Sequence, residues 1–147
     1  MTSEELTLTG SMFTSLSGRL WKPETASPRA VILMEHGIGE HIGIYEYWAE
    51  LFCNKGFAFA GFDLRGHGRS SGKRGHTPGR SAIDDLNLIV NQIYTLFPDQ
   101  PLFLYGHSLG ANLLLYFMIT YHPRVAGMII SSPTLHVDPP SHKNMLK

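Results

Sequence analysis

The stretch from Pro101 to Tyr121 constrains this chain more than any other. Leu102-Phe103-Leu104-Tyr105 is a short apolar run, Gly106-His107-Ser108-Leu109-Gly110 follows without a spacer, and Ala111 to Tyr121 is apolar on most sides. A strand that enters a helix through a glycine-flanked serine must turn sharply at that serine. The turn lifts the Ser108 hydroxyl above the sheet. A side chain at position 106 or 110 would strike the crossing strand or helix, so Gly106 and Gly110 stand there. Below the turn, Ala111, Leu114, Leu115, Met118 and Ile119 recur at helical spacing and are expected to press onto the sheet. A lone G-x-S-x-G arises by chance among common residues. The strand before it and the helix after it make it a nucleophile elbow.

The rest of the chain supplies the layers this turn needs. Leu6 to Trp21 alternates weakly around Ser17-Gly18 and reads as two short strands in a hairpin. Ala30 to Met34 is continuously apolar, as a strand covered on both faces requires. It ends in Glu35-His36-Gly37-Ile38-Gly39-Glu40-His41, where two glycines let the backbone turn tightly and present N–H groups. Tyr45, Trp48, Ala49, Phe52 and Cys53 mark one face of a helix stopped by Asn54-Lys55-Gly56. Phe57 to Phe62 is a second buried strand, and it runs into the glycine-rich loop Asp63-Leu64-Arg65-Gly66-His67-Gly68-Arg69-Ser70. Ala82, Ile83, Leu86, Ile89, Val90, Ile93, Leu96 and Phe97 form another helical stripe, closed by Pro98-Asp99. Val125 to Ile130 is a last apolar strand, and Thr134 to Lys147 is polar and broken by proline. Strands alternating with helices predict the α/β class, with right-handed crossovers and a mostly parallel sheet carrying helices on both faces.

Composition excludes several functions. Twelve basic residues balance twelve acidic ones, so no bulk charge argues for nucleic acid or an anionic surface. Cys53 is the single cysteine, which rules out an intrachain disulfide and reads as a buried, inert thiol. The start, Met1-Thr2-Ser3-Glu4-Glu5, is acidic and polar, unlike a signal peptide, and no apolar run approaches the ~20 residues of a membrane span. A cytoplasmic protein, membrane-associated at most and not secreted, is the expectation. Gly68-Arg69-Ser70-Ser71-Gly72-Lys73 approaches a phosphate-binding loop, but its spacing is one residue short and Arg74 replaces the Ser/Thr. Glu35-His36 and Glu40-His41 fall on a glycine turn, outside the helical H-E-x-x-H register, so no metal or other cofactor is expected. Lys73, Arg74 and Arg80 read as a solvated face.

Taken in order, His36-Gly37-Ile38-Gly39-Glu40-His41 with Tyr45, Asp63 to Ser70, Asp84-Asp85-Leu86 and Gly106 to Gly110 resemble the α/β-hydrolase superfamily. More narrowly they are similar to the monoacylglycerol lipase and lysophospholipase group of serine hydrolases. The resemblance covers about residues 10 to 140, with Leu109 and Ala111 where that group often has Met and Gly. It implies an α/β-hydrolase fold and a lipid-ester substrate, with peripheral membrane contact in a full-length parent and no nucleic acid. It also implies roles. Ser108 would attack an ester carbonyl to form an acyl-enzyme, and the backbone N–H groups of Ile38 and Leu109 would hold the oxyanion. His36, Gly37, Gly106, His107 and Gly110 would support the elbow and its facing loop.

One part of the pattern is missing. The resemblance implies a triad acid and base after the nucleophile, yet only 39 residues follow Ser108. Asp138 and His136 lie where that group begins its lid insertion, and neither matches the acid or base position. The triad Asp and His are therefore not expected in this chain. The expected architecture is a single partial domain over 1–147, with its core at 10–133. Residues 134–147 would be the start of a lid region or a tail. The sheet would stop after about the sixth strand, without the lid and last two strands, leaving 125–130 as an apolar edge. Two functions fit. One is a carboxylic-ester hydrolase of monoacylglycerol-like or lysophospholipid-like lipids. The other is a catalytically incomplete fragment or non-enzymatic hydrolase-fold protein.

Overall fold

The computed structural model describes residues 1–25 and 27–135. Six strands form one sheet in the order β1-β2-β4-β3-β5-β6. β1 (Thr2–Thr9) and β2 (Ser15–Lys22) make the expected hairpin, paired antiparallel along their whole length through a 3-10 turn at Ser11–Phe13. β2 joins β4 (Ala58–Phe62) antiparallel. From there β4, β3 (Val31–Glu35), β5 (Leu102–His107) and β6 (Gly127–Ser131) are all parallel. The mostly parallel sheet thus stands as expected, with the antiparallel hairpin at one edge.

Helices cover both faces. α2 (Gly79–Leu96) and α3 (Leu109–Tyr121) pack on one face, where Leu33, Ala60, Phe62, Leu86, Leu104 and Leu114 share a core. α1 (Glu46–Cys53), entered through a 3-10 turn at Ile42–Tyr45, covers the other face over Trp21, Ile32, Met34 and Phe59. Cys53 is buried there, and burial pushes its thiol pKa up. Two helix faces differ from the periodicity. In α3 the buried side chains include Leu113 and Phe117, while Ile119 is 71% exposed and does not press onto the sheet. A helix apolar all round has no stripe to read, so the strand-to-helix turn sets its rotation. In α1, Trp48 turns outward at 43% exposure, while Ala49, Phe52 and Cys53 face the sheet, Phe52 stacked on Phe59.

The chain passes from β3 to β4 on one side, then crosses to β5 on the other side of β3. That reversal opens a crevice at the carboxyl ends of the strands, where α/β sheets place their ligands. The loops after β3, β4 and β5 meet there. Among the described residues β6 is the far edge, and its run Gly127-Met128-Ile129-Ile130 contains no lysine or proline. Such an edge templates pairing with another chain. The purified chain is expected to self-associate at micromolar concentration, and Ile129→Lys to return it to a monomer. Light scattering after size exclusion checks this, and a monodisperse wild-type monomer would refute it.

Candidate active site

Ser108 sits between β5 and α3 with φ 51° and ψ −116°, a conformation that non-glycine residues rarely adopt. Its neighbours enforce it. A Cβ on Gly106 would lie 2.7 Å from the Ala111 Cα, and one on Gly110 would overlap the carbonyls of Glu35 and His36. The backbone is braced from the side as well. The Ser108 N–H donates to the Ser131 carbonyl at 2.9 Å, and the His107 ring lies 3.3 Å from the Ser131 hydroxyl. Leu109 is the first residue of α3, so its N–H has no partner within the helix.

The loop after β3 lies against the elbow. A Cβ on Gly37 would stand 3.3 Å from the Ser108 Cβ. Both ends of the Gly37 residue are held. Its N–H donates to Glu40 Oε2 at 2.7 Å, and its carbonyl lies 2.8 Å from His36 Nδ1. His36 Nε2 accepts the Leu64 N–H at 2.9 Å, which leaves Nδ1 as the protonated nitrogen and the donor to Gly37. His36 is fully buried, and burial holds its pKa below the ordinary value. In a trans peptide the Ile38 N–H points opposite to the Gly37 carbonyl, so pinning the carbonyl aims the amide. Ile38 N–H has no acceptor among the described residues. The far end of the loop is tied by Asp63, whose Oδ1 accepts the Ile42 N–H and whose Oδ2 accepts the Arg69 N–H, both at 2.7 Å.

Glu40 Oε2 also accepts the Tyr45 hydroxyl at 2.7 Å. Partial burial works against the Glu40 charge, but the Tyr45 hydroxyl, the Gly37 amide and the neighbouring His107 and His36 hold its pKa below the usual range. Burial and Glu40 in turn push the Tyr45 phenol up. These partners went unassigned in the sequence, although the two-residue and seven-residue offsets of Glu40 and Tyr45 from Ile38 were there to read.

A second polar cluster lies beneath the elbow. Arg65 is buried and forms an ion pair with Asp85 at 2.9 Å, and it also bonds Thr14 Oγ1 and the Ser11 carbonyl. Asp85 Oδ1 accepts the Ser11 N–H at 2.6 Å. Glu35 faces this cluster across a small cavity, wholly buried, with Oε2 lacking any hydrogen-bond partner. Burial first, and the Asp85 charge second, push the Glu35 carboxyl up to about 8.

The structure therefore gathers Ser108, Leu109, Ile38, Gly37, His36, His107 and the two elbow glycines into one place. Among the described residues no imidazole or carboxylate hydrogen-bonds the Ser108 hydroxyl, and no three His, Cys, Asp or Glu side chains converge as metal ligands. His136 and Asp138 lie outside the described residues, as does most of the expected 134–147 tail. No described helix is long and apolar enough to cross a membrane. A half-buried serine on a strained turn, flanked by amides without acceptors among the described residues, can hold a negatively charged tetrahedral oxygen during acyl transfer.

Known proteins share this fold. The sequence profile of a family described as serine aminopeptidase, S33 matches residues 26–147. An uncharacterized abhydrolase domain-containing protein of Dictyostelium discoideum is 41% identical over 139 residues, covering 92% of this chain and 14% of its own length. The monoglyceride lipase of Rattus norvegicus is 33% identical over 124 residues, covering 84% of this chain and 41% of its own. A crystal structure of a soluble variant of monoglyceride lipase from Saccharomyces cerevisiae, in complex with a substrate analog, superposes with a TM-score of 0.82. It is 24% identical and covers 95% of this chain and 47% of that one, a likeness of fold. The chain thus spans less than half the length of each of these proteins.

Proposed function

The chain belongs to the α/β-hydrolase family described as serine aminopeptidase, S33, and from that membership we propose that it carries the nucleophile half of a serine hydrolase acting on carboxylic esters of monoacylglycerol-like or lysophospholipid-like lipids. The observation that carries the reading is Ser108 at φ 51°, flanked by Gly106 and Gly110 and faced by the Gly37–Ile38 loop. Ser108 Oγ adds to the ester carbonyl, its proton passes through a base supplied by the longer protein to the leaving alkoxide, and the alcohol departs as the acyl-enzyme forms. The Ile38 and Leu109 N–H groups bind the oxyanion, and losing one such donor typically costs on the order of 3 kcal/mol of barrier. The monoglyceride lipase of Rattus norvegicus supports the substrate class.

A second reading is a catalytically incomplete chain, favoured by the absence of an imidazole beside Ser108 among the described residues. Fluorophosphonate labelling tests both, applied to this chain and to the longest expressed polypeptide that contains it. The longer protein is expected to label at Ser108, with Ser108→Ala abolishing the signal. The 147-residue chain is expected to label weakly or not at all, since among the described residues no base bonds the hydroxyl. Labelling that survives Ser108→Ala would overturn the assignment. On the longer protein, monoacylglycerols are expected to be better substrates than triacylglycerols.

A further inference from the structure

Beside the elbow, on the α1 side of the sheet, lies an open groove of about 320 Å³ lined by Glu40, Tyr45, Trp48, Tyr105, His107 and Ser131, with Ile44 at its rim. Three of these walls are aromatic. The Trp48 indole and the Tyr105 ring meet at 84° with centroids 6.4 Å apart, so they form two perpendicular sides of a corner. Among the described residues the charged side chain in the lining is Glu40, and no lysine or arginine joins it. Its Oε2 is taken by the Gly37 amide and the Tyr45 hydroxyl, while Oε1 accepts no bond among the described residues. A corner of aromatic faces with one free carboxylate oxygen attracts a soft organic cation, and quaternary ammonium groups are recognised in this way. The Glu40 carboxylate repels an anion, and the polar groups beside it, the Ser131 hydroxyl and the His107 ring, already face each other at 3.3 Å.

The groove also borders the elbow, through His107. His107 precedes Ser108, and a single methyl built on Gly37 would contact both Glu40 Oε2, at 3.1 Å, and the Ser108 Cβ, at 3.3 Å. We propose that the Glu40–Tyr45–Trp48–Tyr105 groove is a head-group subsite for a quaternary ammonium. Resting on the ester-hydrolase reading above, this makes ammonium-headed esters the substrates that the site selects.

Binding tests the subsite without requiring catalysis, so its failure leaves the Ser108 labelling result untouched. The chain is titrated at pH 7.5 with choline, with glycerophosphocholine and with 3,3-dimethylbutan-1-ol, which has the shape of choline without the charge. The readout is the Trp48 indole N–H resonance, assigned by its loss in Trp48→Leu. Choline is expected to bind about fivefold or more tightly than the neutral alcohol, and Tyr105→Leu is expected to erase that difference. Both replacements are at half-buried or exposed rings, and an unchanged thermal midpoint shows that each variant is folded. Binding of choline and glycerophosphocholine together assigns the groove to a phospholipid head group. Binding of choline alone assigns it to an ammonium alcohol esterified directly. Equal affinity for choline and the neutral alcohol, no saturable shift with choline, or unchanged selectivity in folded Tyr105→Leu would overturn the proposal.

Discussion

Stability against urea is expected to fall as pH rises from 4.5 to about 8, and Glu35→Gln is expected to flatten that fall. Glu35 is the cause. Its carboxyl is wholly buried, and its pKa is about 8 in the fold against 4.5 for the ordinary group. Between those values the unfolded chain releases a proton that the folded chain keeps. The group's contribution is therefore fully present below about pH 4.5 and lost as pH rises through 8. The groups facing it are Asp85 from α2 and Asp63 and Arg65 from the loop after β4. Arg65 is already committed to Asp85, so it does not neutralise Glu35. At ~1.4 kcal/mol per pKa unit the window amounts to on the order of 3–5 kcal/mol, a large part of a typical domain's stability. Glutamine keeps the shape and stays neutral. The two proteins are expected to be similarly stable near pH 4.5 and to differ by several kcal/mol at pH 8. Urea titrations at pH 5, 6.5 and 8 decide the matter, and parallel slopes for both proteins would exclude Glu35 as the source.

Asp85→Ala is the second large effect. Removing this carboxylate strips the buried Arg65 guanidinium of its counter-charge and leaves the Ser11 N–H without its acceptor. Breaking one side of a buried pair costs about 3–5 kcal/mol, because the remaining charge stays desolvated. The loss spreads beyond α2, since Arg65 ties the loop after β4 to Thr14 and Ser11 at the hairpin turn. A coupled change should accompany it. Asp85 is one of the two causes that raise Glu35, so its removal is expected to move the alkaline fall in stability to lower pH. Equilibrium unfolding at pH 6 measures the first effect and its pH profile the second. A cost below about 1 kcal/mol would mean that water reaches the guanidinium freely.

Much of this was legible in the chain because it is written in local spacing. The elbow follows from residues 102–119 read in order, and the buried strands from uninterrupted apolar runs. The features that escaped depend on which way a residue points. Glu35 reads as the polar end of strand β3, and only the register against Gly106 and the packing of α2 place it indoors. Asp85 is one of two adjacent aspartates. Asp84 faces Tyr121 and Arg80 near the surface, whereas Asp85, one helical step of 100° on, meets a buried arginine twenty residues earlier. Trp48 is apolar at the period of the core face, yet on this eight-residue helix it stands at the margin of that face, edge-on to Tyr105, while Ala49, Phe52 and Cys53 take the centre.

The brace behind Ser108 has a further consequence. The Ser108 amide and the His107 ring both lean on Ser131, the last residue of β6. Two more bonds, between Asn112 and Thr134, fasten the segment after β6 to the first turn of α3. The Ser108 backbone is thus braced by the outermost strand among the described residues. Loss of the β6 pairing would remove these braces from the Ser108 turn and leave it held by the packing at Gly106 and Gly110. Whatever pairs with the outer side of β6 therefore also steadies the elbow backbone, through the Ser108–Ser131 and Asn112–Thr134 bonds together.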